Sequence, residues 1–229
     1  MKPSLILLLL AASAAPAAAQ VGSLPNRSPY RDVAYSQEFS VIGGYFGGNE
    51  GSAGIGPRSA PVFGVRYAIK LGGPVDLTAD VMRAQSTRLV LDPDLAGAQR
   101  RVGTISAPLY LGDVGLAINL TGQKTWHHLM PVVSVGFGVA SDAGAKADVG
   151  KYSLGTPFAL TFGGGLRYIG AGPWSVRLDL TDHFFQIHYP NSYFIATTGG
   201  AAIFPSNAAS SQWLHNAVVT VGLSYLVLR

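Results

Sequence analysis

The chain has 229 residues, of which 48% are hydrophobic and only 12% charged, with a formal net charge of +4 and no cysteine. The missing cysteine excludes a disulfide framework and a lipid anchor on a cysteine thiol. The small basic excess is dispersed along the chain with no basic helix, so no nucleic-acid partner is expected.

Met1-Lys2-Pro3-Ser4 supply a basic start, Leu5 to Ala12 an apolar core, and Ala17-Ala18-Ala19 a small-residue end before Gln20. This order predicts a signal peptide over residues 1–19, because the apolar core is too short to span a bilayer as a helix. Residues 20–37, with Pro25 and Pro29, read as a periplasmic lead-in, which leaves 38–229 for a single domain. Past the signal no apolar run approaches the ~18 residues of a membrane helix. The hydrophobic residues are instead distributed by alternation.

The first strand is expected at Glu38 to Phe46, with Phe39, Val41 and Tyr45 on one parity and Ile42 and Phe46 on the other. A Gly-, Asn- and Ser-rich loop follows from Gly47 to Ala60. In the second strand, Pro61 to Leu71, the residues Phe63, Val65, Tyr67, Ile69 and Leu71 alternate with Gly64, Arg66, Ala68 and Lys70. Gly72-Gly73-Pro74 is a tight turn, since Gly supplies positive φ and Pro cannot continue a ladder. The third strand starts at Val75, sets Val75, Leu77, Ala79 and Val81 against Asp76, Thr78, Asp80 and Met82, and is extended toward Leu91, with a polar tip from Asp92 to Gln99. The fourth, Thr104 to Leu120, changes parity between Leu111 and Val114, which suggests a β-bulge near Gly112-Asp113. Thr121 to Leu129 connects to the fifth strand, Met130 to Ser141, and places Trp126, His127 and His128 at an interface height.

After a loop from Asp142 to Thr156 comes the clearest alternation in the chain. Phe158, Leu160, Phe162, Leu166 and Tyr168 share one face, and Ala159, Thr161, Gly163, Gly165 and Arg167 the other. Gly170-Ala171-Gly172-Pro173 turns into a seventh strand, where Trp174, Val176, Leu178 and Leu180 alternate with Ser175, Arg177, Asp179 and Thr181. The longest loop is expected from Ile187 to Asn216, and the last strand from Ala217 to Arg229.

Eight strands with alternately long and short connections predict an all-β fold, an eight-stranded antiparallel up-and-down transmembrane β-barrel. In hydrocarbon only a helix or a closed sheet satisfies every backbone group. A soluble sandwich would turn a polar face outward, whereas here the polar parity is small and charged, as a barrel interior requires. Arg66, Lys70, Asp76, Asp80, Arg167, Arg177 and Asp179 all fall on inward parities. A charge facing lipid costs about 2–4 kcal/mol at mid-membrane, and eight strands leave room only for side chains. These residues are therefore expected to pair into a polar plug, the alternative being the lining of a narrow channel.

Two stretches and the last strand carry a resemblance. Thr220, Gly222, Tyr225 and Val227 resemble the polar-x-Gly-x-x-aromatic-x-hydrophobic signal read by the bacterial barrel-assembly machinery. Pro131 to Gly138 and Arg177 to His183 are similar to strand motifs of the OmpA-like outer-membrane β-barrel domains. The resemblance implies a small bacterial outer-membrane barrel, with membrane lipid and the assembly machinery as partners.

No catalytic, cofactor or metal site is expected. His183, His188 and His215 would lie toward the outer side, but their spacing lacks the pattern of a zinc site. The His188-to-Ser192 stretch is only faintly similar to the His/Ser pair of lipid A deacylases, and adjacent Asp182 and His183 point to opposite faces of a strand. The expected role is structural or interactive, with specificity in the long outer loops. Tyr189, Tyr193, Phe194 and Trp213 are the candidate binding residues there, because the loop offers its aromatics no alternating face to bury. The alternatives are a carrier or channel for small or hydrophobic solutes and, third, a lipid-modifying enzyme at the rim.

Overall fold

The computed structural model describes residues 28–228 apart from 144, 146 and 198. The expected signal peptide and the first part of the lead-in, 20–27, lie outside the described residues. Eight antiparallel strands close on themselves: β1 (Tyr35–Gly47), β2 (Ala60–Gly72), β3 (Val75–Ala84), β4 (Leu109–Asn119), β5 (Leu129–Ser141), β6 (Phe158–Ile169), β7 (Trp174–His188) and β8 (Ser211–Leu228). Each pairs with its neighbours in sequence, and β8 returns to β1, with Tyr225 opposite Phe39 and Ala217 opposite Gly47. Closure leaves no barrel strand with an unpaired edge.

The connections segregate by length. Residues 73–74, 120–128 and 170–173 join strands at one end, and 48–59, 85–108, 142–157 and 189–210 at the other. Gly73 makes the tightest turn with φ of +53°, a conformation that glycine adopts without steric cost. The short-turn end also receives the strand Tyr30–Asp32, which pairs with Lys124–Trp126. At the opposite end Thr87–Leu91 pairs with Arg101–Ser106 as a separate two-stranded sheet rising from the mouth.

A period of two orients every barrel strand. Val41, Val65, Val81, Val135, Phe137, Leu180, Val221 and Leu223 stand outward and exposed, and their neighbours in sequence turn inward. Two rows of aromatics bound this apolar belt. Phe39 against Tyr67 and Trp174 against Tyr225 lie toward the short turns, and Phe137 against Phe158 and Phe184 against Trp213 toward the long loops.

Five expectations about the strands are corrected. The pairing of β4 with β3 and β5 runs without interruption through Gly112 and Asp113, so no bulge lies there. Leu109 and Leu111 instead face into the barrel, and the apparent change of parity marks a change in what the interior contains. The extended third strand breaks after Ala84, and the fourth starts at Leu109, just after Pro108, whose missing N–H cannot serve a ladder. The loop expected from Ile187 to Asn216 is shorter, because Ile187 and His188 pair with Gln212 and Ser211 and prolong the last hairpin. The first strand begins at Tyr35 instead of Glu38.

Candidate functional site: a barrel interior in two zones

Near the short turns the interior is a continuous network of charged side chains. Alternation places Arg66 and Lys70 of β2, Asp76 and Asp80 of β3, Arg167 of β6, and Arg177 and Asp179 of β7 in the lumen, as expected from parity. Arg177 makes a forked pair with Asp179, Nε to Oδ2 at 2.6 Å and Nη2 to Oδ1 at 3.0 Å. Arg66 pairs with Asp80 and reaches Asp179 at 3.3 Å. Lys70 lies 3.5 Å from Asp76. Arg167 donates to the Tyr35 hydroxyl at 2.9 Å and to Asn119 Oδ1 at 3.2 Å, and sits 3.4 Å from Asp76.

Glu38 completes the network by joining its two halves. It pairs with Arg167 and accepts from Arg177 at 3.2 Å, so two guanidinium groups share one buried carboxylate. Sequence reading missed it as a lumen charge because it stood at the expected strand boundary. Its parity with Ser40 and Ile42 was the available signal. Tyr35, Asn119 and Asp113 were missed as well. The Tyr35 hydroxyl donates to Asp76 at 2.6 Å, and its ring lies under Lys70 and Arg167.

Gly222 makes room for this arrangement. A Cβ there would stand 2.9 Å from Cγ of Arg177 and 2.8 Å from Cγ2 of Ile42. Thr220 also faces inward, whereas Tyr225 faces out against Trp174 at 5.2 Å. Val227, half-buried, lies at the short-turn end. Four residues first singled out as an assembly signal thus include one that shapes the interior and one that belongs to the outer aromatic row.

Toward the long loops the same inward parity turns apolar. Ile42, Phe46, Val62, Met82, Leu109, Leu111, Phe185, Ile187, Leu214 and Val218 are buried in one cluster. Ile55, Tyr152, Tyr189 and Tyr193 descend onto it from the loops and close the mouth. Arg88 of the mouth sheet pairs with Asp148 of the 142–157 loop and donates to the Tyr152 carbonyl at 3.2 Å, while its guanidinium lies over the Tyr152 ring. Burial pushes the hydroxyls of Tyr152 and Tyr193 well above the ordinary tyrosine range. Between the two zones, a polar cavity of about 20 Å³ is lined by residues including Arg66, Asp80, Asp113 and Arg177. That is about the space one water occupies.

The loop aromatics are therefore placed differently from expectation. Tyr193 is completely buried, and Tyr189 is buried with its hydroxyl donating to Gln212 at 2.7 Å. Phe194 packs on Phe204 at 5.6 Å against the apolar cluster. The open barrel mouth supplies the face that the loop's own pattern lacks. Trp213 belongs to β8 and stands outward, stacked on Phe184. The histidines of the outer half do not converge: His183 faces inward, 3.4 Å from Asp113, and His215 faces outward, bonded to Asp182. Asp182 and His183 are directed to opposite sides of the wall, as their adjacency requires.

No protein-family profile matches this chain, and no curated protein does. Among solved structures, the chain is similar to Neisserial surface protein A (NspA) at 11% identity and a TM-score of 0.43, over 86% of this chain and 97% of that one. It is similar to the Yersinia pestis outer membrane protein Ail at 11% identity and a TM-score of 0.38, over 83% and 99%. A major outer membrane protein from Thermus thermophilus gives 13% identity and a TM-score of 0.37, over 84% and 100%. At TM-scores below 0.5, none of these likenesses bears on what the chain does.

Proposed function

We propose that the chain is a non-enzymatic integral barrel of a bacterial outer membrane, exported with its signal removed, whose role is structural or carried by its outer loops. The carrying observation is the combination of an apolar outside with a filled inside. Soluble monomers rarely expose apolar patches beyond a few hundred Å², yet here Val, Leu and Phe side chains stand exposed on all eight strands. Hydrocarbon would cover that belt, and headgroups would meet the two aromatic rows.

The interior supports the non-conducting form of this reading. Its guanidinium and carboxylate groups are occupied by one another, and the apolar cluster and loop tyrosines close the way above them. A solute would have to displace both zones. In this reading the long loops face the cell exterior, membrane lipid surrounds the wall, and the barrel-assembly machinery recognises β8 during insertion.

Protease treatment of intact cells tests the topology. Cleavage is expected within 142–157 or 189–210, with the Gly72-Gly73-Pro74 turn protected. Cleavage confined to the short turns would reverse the orientation, and recovery of the protein in the soluble fraction would overturn the reading.

A further inference from the structure

A cation stands on the outside of the wall without a counter-ion. Arg83 shares the outward parity of Leu77 and Val81 on β3 and is half-buried there. Phe63 of β2 and Tyr110 of β4 lie directly opposite it across the two ladders. Its guanidinium carbon is 6.0 Å from the centre of the Phe63 ring and 5.7 Å from that of Tyr110. Its Nε is buried without a hydrogen-bond partner, and no carboxylate pairs with it among the described residues. Arg66, Arg88, Arg167 and Arg177, by contrast, each hold one.

Arg83 stands near the end of β3, whose start at Val75 leaves the short turn. At ~3.3 Å per residue and a tilt of about 40°, it lies roughly 20 Å up the wall, and its stem carries the guanidinium to the upper edge of a belt of about 25 Å. The row it belongs to continues from Tyr110 to Ser141 of β5, whose hydroxyl bonds that of Thr156 at 3.0 Å. A ring, a free cation and three hydroxyl groups thus stand side by side at headgroup height. Two residues lower on each strand the row is Val81, Gly112, Val139 and Phe158. There the wall is indented by a groove of about 520 Å³, lined by these residues with Val114 and Phe137. A Cβ on Gly112 would meet nothing nearer than the Asp80 carbonyl oxygen at 4.0 Å, so the notch in front of it is open.

We propose that Arg83, with Tyr110, Ser141 and Thr156 beside it and the Gly112 groove beneath, is a docking site for a phosphorylated glycolipid of the outer leaflet, an acylated sugar phosphate of lipid A type. This inference rests on the membrane-spanning reading above and on its orientation. The planar guanidinium fork matches phosphate oxygens two at a time, and a phosphate accepts from N–H groups that otherwise stay unsatisfied. Choline and ethanolamine phospholipids bring a cation of their own beside the phosphate, which competes with Arg83 for it. A sugar phosphomonoester brings none. The hydroxyl groups face the sugar, and the groove takes an acyl chain directly below the phosphate.

The full-length mature barrel, folded in maltoside micelles, is exposed to equal amounts of bis-phosphorylated lipid A, the same lipid with both phosphates removed, and phosphatidylglycerol. Native mass spectrometry reads which lipid stays bound, and the heat-dependent gel shift of the barrel confirms folding. Phosphorylated lipid A is expected to be retained about ten-fold over the dephosphorylated form, the order that one charge-assisted hydrogen-bonded pair provides. It is also expected ahead of phosphatidylglycerol, whose diester has no sugar. Arg83→Gln is expected to abolish the preference for the phosphorylated form, Gly112→Leu to lower retention of both forms, and Leu180→Ala on β7 to change neither. Equal retention of the two forms, a preference surviving Arg83→Gln, or retention unchanged in Gly112→Leu would each overturn the site while leaving the barrel reading standing. Phosphatidylglycerol bound as well as phosphorylated lipid A, or a dimer that Gly112→Leu dissolves, would overturn it in the same way. A wild-type chain that does not fold into micelles would remove both.

Discussion

Gly222 and Arg177 occupy one volume of the barrel interior between them: a Cβ on the glycine would come within 2.9 Å of the arginine's Cγ. The two residues face each other across the β7–β8 ladder. The arginine stem fits only because its partner has no side chain. Gly222→Val is therefore expected to displace Arg177 and loosen its fork on Asp179. Overpacking of this kind costs about 1–3 kcal/mol, readable as a lower urea midpoint of the folded barrel. A midpoint equal to wild type would mean the interior is less tightly filled than described.

Removing the charge itself should be worse. Arg177→Leu leaves Glu38 and Asp179 short of a partner in the interior, although Arg167 and Arg66 still reach them. Breaking a buried pair on one side costs about 3–5 kcal/mol, with the remaining arginines holding the loss toward the lower figure. Glu38→Gln, which strips the carboxylate shared by two guanidinium groups, should destabilise comparably. An effect confined to Arg177→Leu would place Glu38 outside the network.

The apolar zone makes a different demand. Leu111→Ala opens a cavity between β4 and the residues packed inside the mouth, at an expected cost of about 2–5 kcal/mol. Leu116→Ala, on the outer face of the same strand, leaves no cavity and should cost about 1 kcal/mol or less. Equal costs would indicate that Leu111 does not face inward.

Alkaline titration should distinguish the mouth from the rest of the surface. Burial raises the Tyr152 hydroxyl, offset in part by the charge of Arg88 and reinforced by Asp142; burial and Asp148 do the same for Tyr193. The packed loops favour the neutral phenol, so its contribution to stability is complete below the unfolded value of ~10 and is lost as pH rises through the higher folded values. Tyrosinate absorbance should therefore show a late-ionising group, absent in Tyr152→Phe, with the loops loosening as it titrates. Ionisation of every tyrosine in one ordinary step would contradict the closed mouth.

Much of this was readable in advance, for a simple physical reason. A period of two fixes which side of the wall each residue takes, so Arg167 could be placed in the lumen and Phe162 outside it from spacing alone. What spacing cannot state is what the interior contains at a given height. Ile42, Phe46 and Leu111 looked like errors of register because a polar lumen was assumed throughout, whereas the lumen turns apolar beneath the loops. Glu38 was hidden by a strand boundary set three residues late. The burial of Tyr189 and Tyr193 depended on a cavity built by distant strands, and no local pattern records that. The Asp182–His215 pair was likewise invisible, since it joins neighbouring strands across 33 residues of sequence.

Electrical conductance of the purified protein in planar bilayers tests most directly whether the barrel is closed along its length by two successive zones of side chains. After verified insertion, the trace is expected to stay at the baseline of the empty membrane across the voltage range. Stable open steps of porin size from the wild-type protein would show a continuous water path through both zones and contradict the account.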